Sequence, residues 1–225
     1  MNTLNQALKL LKDRNMLLKR SKIDEHYLNV LNEQLAKLQA ILIRQRHFFI
    51  QKLAKKGNEY YQRISKDQTT FDIEYLSCCE YDDDNEVMVQ NLKERYAKSL
   101  EKDFNLKVTT IGIHKEDYRF MINEKAVELH ASQGQKRSIL LALKLAMIDL
   151  IHEISHEYPV LLLDDVFCEL DDERKKRLFE ILPMDVQVFI ASAEIDYEYL
   201  KQLHRPITLW EIEAGQIKGK ELVYG

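Results

Sequence analysis

The chain has 225 residues, of which 45% are hydrophobic and 31% charged, with a formal net charge of −4. That balance fits a globular protein with long exposed helices. It confines any nucleic-acid surface to a local basic patch. No apolar run reaches the roughly 18 residues of a membrane span, and the opening "MNTLNQALKLLKDRN" is a mixed-charge amphipathic stretch, not a signal peptide. Cys78, Cys79 and Cys168 have no metal-ligand spacing, so reduced thiols in a cytoplasmic protein without a membrane anchor are expected.

The first 66 residues predict two or three antiparallel helices. Leu28, Leu31, Leu35, Leu38 and Leu42 recur at helical spacing, and Phe49 and Leu53 continue the stripe. Packing within the chain accounts for this pattern more simply than a dimeric coiled coil does. Lys12, Arg14, Lys19, Arg20, Lys22, Arg44, Arg46, Lys52, Lys55 and Lys56 cluster here. A solvated helix face and a nucleic-acid surface are the two readings of that cluster. "FDIEYLS" alternates as a strand, with Cys78 and Cys79 at its end and Asp82 to Asp84 in a following loop. A helix over about Val87–Phe104 comes next.

From Lys107 the alternation of "KVTTIGIHKEDYRFMINEKAVELH" predicts a hairpin, with "NEK" turning between "YRFMI" and "AVEL". "ASQGQKRSILLALKLAMIDLIHEISHEYP" is one long helix whose apolar face carries Ile139, Leu143, Ala146, Met147, Leu150 and Ile154. "VLLL" and "VQVFIAS" read as buried parallel strands, with helices at 172–182 and over "DYEYLKQL". "ITLWEIEAGQIKGKELVYG" is a terminal hairpin. The alternation from residue 160 onward argues for α/β layering within a mixed α+β chain.

Three constellations carry chemistry. Asp164 and Asp165 follow an apolar strand, at the edge where open α/β sheets bind ligands. They are placed to hold magnesium and to orient or deprotonate a water, or else simply to end a strand. "SQGQ", Ser132 to Gln135, opens the long helix. Ser132 is an N-cap, Gly134 admits close approach, and the helix end favours phosphate. Asp164 follows Ser132 by 32 residues, the order and separation of the signature helix and magnesium-binding strand in ABC-type ATPases. "CELDDERKK" then places Leu170 and Asp171 where such enzymes carry a loop facing the opposite subunit. Its Asp172 and Glu173, ahead of Arg174, Lys175 and Lys176, also make a dipole-matched helix start.

"IGIHKEDYRFMIN", "ASQGQKRSILLALKLA", "YPVLLLDDVFCELDDERKKRLFEIL" and "QVFIASAE" together resemble the RecF family of bacterial DNA replication and repair proteins. The opening "LKLLKDRNMLLK" is similar to that family's helical arm. The resemblance implies a helical arm lobe over 1–106 and the C-terminal half of an ABC-type ATPase head over 107–225. It implies ATP and magnesium as cofactors, ATP-dependent pairing of two heads, and binding of double-stranded DNA near single-strand gaps. It also implies cooperation with RecO- and RecR-type mediators in loading the recombinase.

By the same resemblance, Ser132, Gly134, Gln135, Asp171 and Ser192 contact ATP held by the opposite protomer. Asp164 holds magnesium, and Asp165 is the catalytic carboxylate. "HKED" at His114–Asp117 departs from the family's usual His-Arg-Asp-Asp, and "ASAE" at Ala191–Glu194 has fewer hydroxyls than usual. None of the six glycines sits in a G-x-x-x-x-G-K-[ST] loop; "GQIKGKE" comes nearest and reads as a turn. The expectation is an incomplete ATPase that works as a homodimer or with a P-loop-bearing partner. The alternative is a non-catalytic DNA- or protein-binding adaptor or remnant of a RecF-like or SMC-like ATPase.

Overall fold

The structure, a computed structural model, describes residues 2–65, 69–163, 172–192, 200–201, 203 and 205–223. The chain forms two interleaved units. One comprises Met1–Lys52 and Ile73–Met121; the other comprises Leu53–Asp72 and Ile122–Gly225. Among the described residues no helix is long and apolar enough to cross a membrane.

In the first unit, α1 (Thr3–Leu18) starts at Asn2, whose side chain accepts from the Leu4 N–H at 3.1 Å. α2 (Glu25–Ser65) then runs unbroken for 41 residues and passes into the second unit. The leucine stripe holds at Leu28, Leu31, Leu35 and Leu42, which are buried. It fails at Phe49, which is 37% exposed, while Ile43, Ile50 and Ala54 are buried instead. The reason is geometric: a 3.5-residue repeat drifts by about 20° per heptad on a 3.6-residue helix, so the buried line moves off the leucines.

β1 (Phe71–Leu76) alternates buried and exposed at its start, as expected. Cys78 and Cys79 lie just beyond it. Asp84, from the predicted acidic loop, caps α3 (Asn85–Leu106) by accepting from the Glu86 N–H at 2.8 Å. Ala36, Ala40, Ile43, Met88, Leu92 and Ile113 meet in the unit's main core.

Two polar centres sit inside this unit. Arg14 and Asp103, both with fully buried side chains, pair at 2.8 Å. Arg14 also donates to Asn32 Oδ1 and Thr109 Oγ1, each at 2.7 Å, and lies over the Tyr96 ring. Asp103 accepts from the Thr110 N–H and Oγ1 at 2.8 and 2.6 Å. Arg14 is therefore no part of a nucleic-acid surface, although its neighbours in sequence are basic. A buried cation cannot reach a phosphate, and leaving it unpaired inside would cost several kcal/mol.

The second centre is Glu116. Its carboxylate accepts from Arg46 at 2.6 Å, from the Tyr75 hydroxyl, and from the Ser77 Oγ and Cys78 N–H at 3.2 Å each. Burial, and then the adjacent Glu116 charge, push the Cys78 thiol up. The same pair of causes, with the hydrogen bond, raises the Tyr75 phenol.

The predicted hairpin turns at "NEK" as expected, but its first strand begins at Asp117 rather than Lys107. Residues 107–116 form turns. Thr109 and Thr110 are held there by side chains: the Thr109 N–H donates to Asn15 Oδ1 at 2.8 Å and the Thr110 N–H to Asp103. These side-chain acceptors replace a strand ladder. β2 (Asp117–Ile122) follows, and Asn123 and Glu124 turn the chain with φ of 46° and 62°. The return strand β3 is only Lys125–Ala126, because "VELH" becomes the helical turn α4 (Val127–His130). The three strands order β1-β2-β3.

In the second unit, α5 (Gln133–Ser155) buries Ile139, Leu141, Ala142, Leu145, Ala146, Ile148 and Leu150. Ile154 of the predicted face is exposed. Gly57 of α2 is a close-approach glycine: a Cβ there would lie 3.1 Å from Leu143 and 3.3 Å from Phe71. Nearby, Tyr60 donates to Asp149 at 2.9 Å and Lys56 reaches Glu153 at 3.0 Å.

β4 (Leu161–Leu163) and β5 (Val188–Ile190) pair in parallel, as expected, with Leu162 opposite Phe189. They are not buried on both faces: Leu162 is 64% exposed and Phe189 39%. α6 (Asp172–Ile181) is anchored through its middle and its C-terminal end. Arg177 donates to the Ile64 carbonyl at 2.7 Å, and Arg205 donates to the carbonyls of Phe179, Leu182 and Pro183. β6 (Ile207–Glu213) and β7 (Gln216–Val223) form the antiparallel terminal hairpin around Ala214 and Gly215. "GQIKGKE" is thus a turn and strand, as its sequence indicates. The predicted helix "DYEYLKQL" lies largely outside the described residues.

Candidate anion site at the start of the long helix

Of the residues marked by sequence, Ser132, Gly134, Gln135 and Ser192 are described. Asp164, Asp165 and Asp171 lie outside the described residues.

Ser132 is the N-cap of α5, with extended backbone. Its hydroxyl accepts from the Gln135 N–H at 3.2 Å, and its own N–H donates to Gln135 Oε1 at 2.9 Å. This is a reciprocal capping box, and it sets the chemistry of the helix end. It occupies one lone pair on the serine and the acceptor oxygen of the glutamine. The serine O–H and the glutamine –NH2 keep their hydrogens to give. The N–H groups of Gln133 and Gly134, in the first turn, have no intrahelical acceptor by position. The helix end therefore offers mainly donors, at the positive pole of the macrodipole.

Gly134 adds a second feature. Its φ is not positive, and a Cβ built on it would meet its nearest atoms at 3.7, 3.9 and 4.0 Å, which is ordinary contact. Neither backbone strain nor packing requires glycine here, and glycine within a helix costs about 0.5–1 kcal/mol relative to alanine. What the missing side chain preserves is close approach to the helix end from outside. A helix end of this kind favours an anion of the phosphate class.

The parallel strands place one further candidate, Ser192. The last ladder bond runs from the Ala191 N–H to the Leu163 carbonyl at 3.1 Å. Ser192, exposed, follows one residue later. In sequence, Asp164 and Asp165 follow Leu163 directly. Ser192 thus lies just past the carboxyl end of β5, the edge where α/β ligands bind.

Arg174 is a residue that sequence reasoning passed over as one charge in a basic helix start. Its guanidinium borders Gly134. The available signal was its position three residues after Asp171. Glu116, marked as a departure from the usual family residues, belongs to the interior of the other unit.

No protein-family model matches the chain. The DNA replication and repair protein RecF of Streptococcus suis (strain 05ZYH33) is 40% identical over 213 residues, covering 94% of this chain and 57% of that protein. RecF of Listeria monocytogenes serotype 4b is 38% identical over 226 residues, covering 97% and 60%. Among solved structures, the recombination mediator protein RecF with ATPrS, described in the RecFOR pathway, superposes with a TM-score of 0.79 at 31% identity. The overlap covers 96% of this chain and 57% of that one. RecF with ATP from the same pathway gives 0.75 at 33% identity, over 86% and 53%. The chain therefore spans somewhat more than half the length of the relatives it matches.

Proposed function

We propose, from a chain that is a RecF homologue over nearly its whole length, that it acts in DNA replication and repair as the signature-bearing part of an ABC-type ATPase head. The observation that carries this reading is the donor-rich start of α5 with its structurally unnecessary glycine. In this reading Ser132, Gly134 and Gln135 receive the terminal phosphate of ATP presented by a facing protomer, with Asp171 and Ser192 at the same contact. ATP would supply the negative charge that joins two heads. Residues 1–106 would serve as the arm lobe and 107–225 as the head portion.

Two groups of residues then have distinct tasks. The Ser132 hydroxyl, the Gln135 amide and the first-turn N–H groups bind and orient phosphate oxygens. Asp164 would hold magnesium and Asp165 would accept the proton of an attacking water, both as carboxylates leaving β4. These 225 residues contain no phosphate-cradling G-x-x-x-x-G-K-[ST] loop, so ATP would have to be held by residues outside them. The assembled heads would bind double-stranded DNA at single-strand gaps and engage RecO- and RecR-type mediators in the cytoplasm.

The test is ATP-dependent binding to gapped duplex DNA, followed by fluorescence anisotropy, with a P-loop-bearing RecF-type segment supplied. Ser132→Ala should weaken binding in the presence of magnesium and ATP and leave nucleotide-free binding unchanged. Equal binding by both proteins with ATP would overturn the assignment. Robust turnover by the 225 residues alone, abolished in Asp165→Asn, would overturn the view that the phosphate cradle lies elsewhere.

A further inference from the structure

We propose that the outer face of α1 around Met16, together with the segment Phe104–Val108, is a docking surface for an acidic protein segment that carries apolar side chains. The surface lies in the first unit and makes no use of the anion site at α5. Two sets of bonds join its halves. Arg14 pairs with Asp103 at 2.8 Å, and Asn15 Oδ1 accepts from the Thr109 N–H at 2.8 Å and from its hydroxyl at 2.6 Å. Arg14 is turned to the interior, and Asn15 sits at the seam. Lys12, Met16 and Lys19 recur at helical spacing on the side of Asn15 away from Arg14, so they line the outside of that seam.

The surface joins apolar area to positive charge. Met16 is 51% exposed, Phe104 45%, Leu106 58% and Val108 40%. Lys12, Lys19 and Lys107 are also exposed, and none of them forms an ion pair among the described residues. Phe104–Val108 contains no carboxylate, and Asp103, which precedes it, is buried and paired with Arg14. Asp13 lies beyond Met16 around the helix, off the line of Lys12, Met16 and Lys19.

The combination selects the occupant. Duplex DNA would attract the lysines but offers little to four exposed apolar side chains, since protein–DNA interfaces are strongly polar. Protein interfaces instead bury aromatic, methionine and aliphatic groups at their centre, within a polar rim. A second copy of the same surface would set lysine against lysine. An acidic segment with apolar side chains answers both halves. Its carboxylates meet Lys12, Lys19 and Lys107, and its apolar groups cover Met16, Phe104, Leu106 and Val108.

The probe is a labelled synthetic peptide in which Asp-Asp pairs alternate with Leu-Phe pairs. Fluorescence anisotropy reads its affinity for the purified chain, and the amide resonances of Met16 and Val108 read its location. The peptide should bind and shift both amides. The same peptide with serine at every leucine and phenylalanine should bind about tenfold more weakly or worse. Phe104→Ser with Leu106→Ser should weaken the original peptide by a similar factor. Lys12→Glu with Lys107→Glu should do the same and flatten the salt dependence of binding. Absence of binding, equal affinity for the two peptides, or unchanged affinity in the lysine variant overturns the proposal. Shifts of both amides by gapped duplex DNA but not by the peptide would assign the surface to DNA, and shifts on simple dilution would assign it to a second copy; either overturns the proposal. Should Phe104→Ser with Leu106→Ser lose its dispersed spectrum, Leu106→Ser alone carries that arm, and wild-type affinity there overturns the proposal.

Discussion

Replacing Gly134 with alanine separates a residue kept for the fold from one kept for a ligand. The added Cβ would make contacts of 3.7, 3.9 and 4.0 Å, and the backbone is not in the left-handed region. No steric or conformational cost is expected. Alanine is favoured over glycine by about 0.5–1 kcal/mol inside a helix. At this early position the lower end applies, so Gly134→Ala should gain about 0.5 kcal/mol, or roughly 1–2 °C in Tm for a chain of this size.

The same methyl group fills the niche that a phosphate oxygen would enter. Loss of one hydrogen bond to a charged ligand is worth about 1.5–3 kcal/mol, so tripolyphosphate affinity should fall about 10- to 100-fold. Thermal unfolding by circular dichroism and titration calorimetry measure the two effects on one sample. A loss of more than about 1 kcal/mol in stability would show that the fold needs the glycine. Unchanged tripolyphosphate affinity would show that nothing approaches it. Either result would refute the reasoning.

Asp103→Ala should lose about 3–5 kcal/mol in urea unfolding, because it strands Arg14 inside the first unit. The double change Arg14→Met with Asp103→Leu should lose clearly less than the sum of its singles, and strict additivity would show that the pair is not coupled. Cys78 should resist iodoacetamide at pH 8.5 in the folded protein and react on unfolding, since its raised thiol pKa keeps the reactive thiolate scarce. Alkylation of Cys78 at the rate of a free thiol in the native protein would contradict this. Leu162→Ser with Phe189→Ser should reduce self-association in sedimentation, because it removes the apolar face of β4 and β5. A monomeric wild type at high concentration would remove the basis for that expectation.

Elements with a local cause could be read directly from sequence. The serine cap of α5 and its glutamine three residues later announce a capping box. The terminal hairpin follows from alternation around Ala214 and Gly215. Short apolar runs revealed β4 and β5 but not their exposed second face, since burial depends on what packs against a strand.

Other features depended on distant partners and stayed hidden. Arg14 is indistinguishable by type from the surface lysines beside it, and its burial depends on Asp103, 89 residues away (103 − 14). "AVEL" alternates like a strand, but a two-residue return is all that pairs with β2 before the chain coils. Arg174 could not be placed beside Gly134 without knowing how α6 docks.

The interleaving of the two units carries a consequence for how the chain comes to be folded. The stretch Leu53–Asp72 belongs to the second unit yet is synthesised before the first unit is complete, and Ile73–Met121 must then return to the first. Glu116 shows the same dependence at one residue: Arg46 waits 70 positions for its partner. Neither unit can close until the ribosome has passed residue 121, and until then the apolar side of α2 lacks its later cover. The first half of the chain is thus synthesised as an unfinished intermediate exposed to misassembly. For the same reason, no contiguous fragment ending at Lys52 or beginning at Ile122 contains a whole unit, so a shortened version should be cut by structure rather than by position in the sequence.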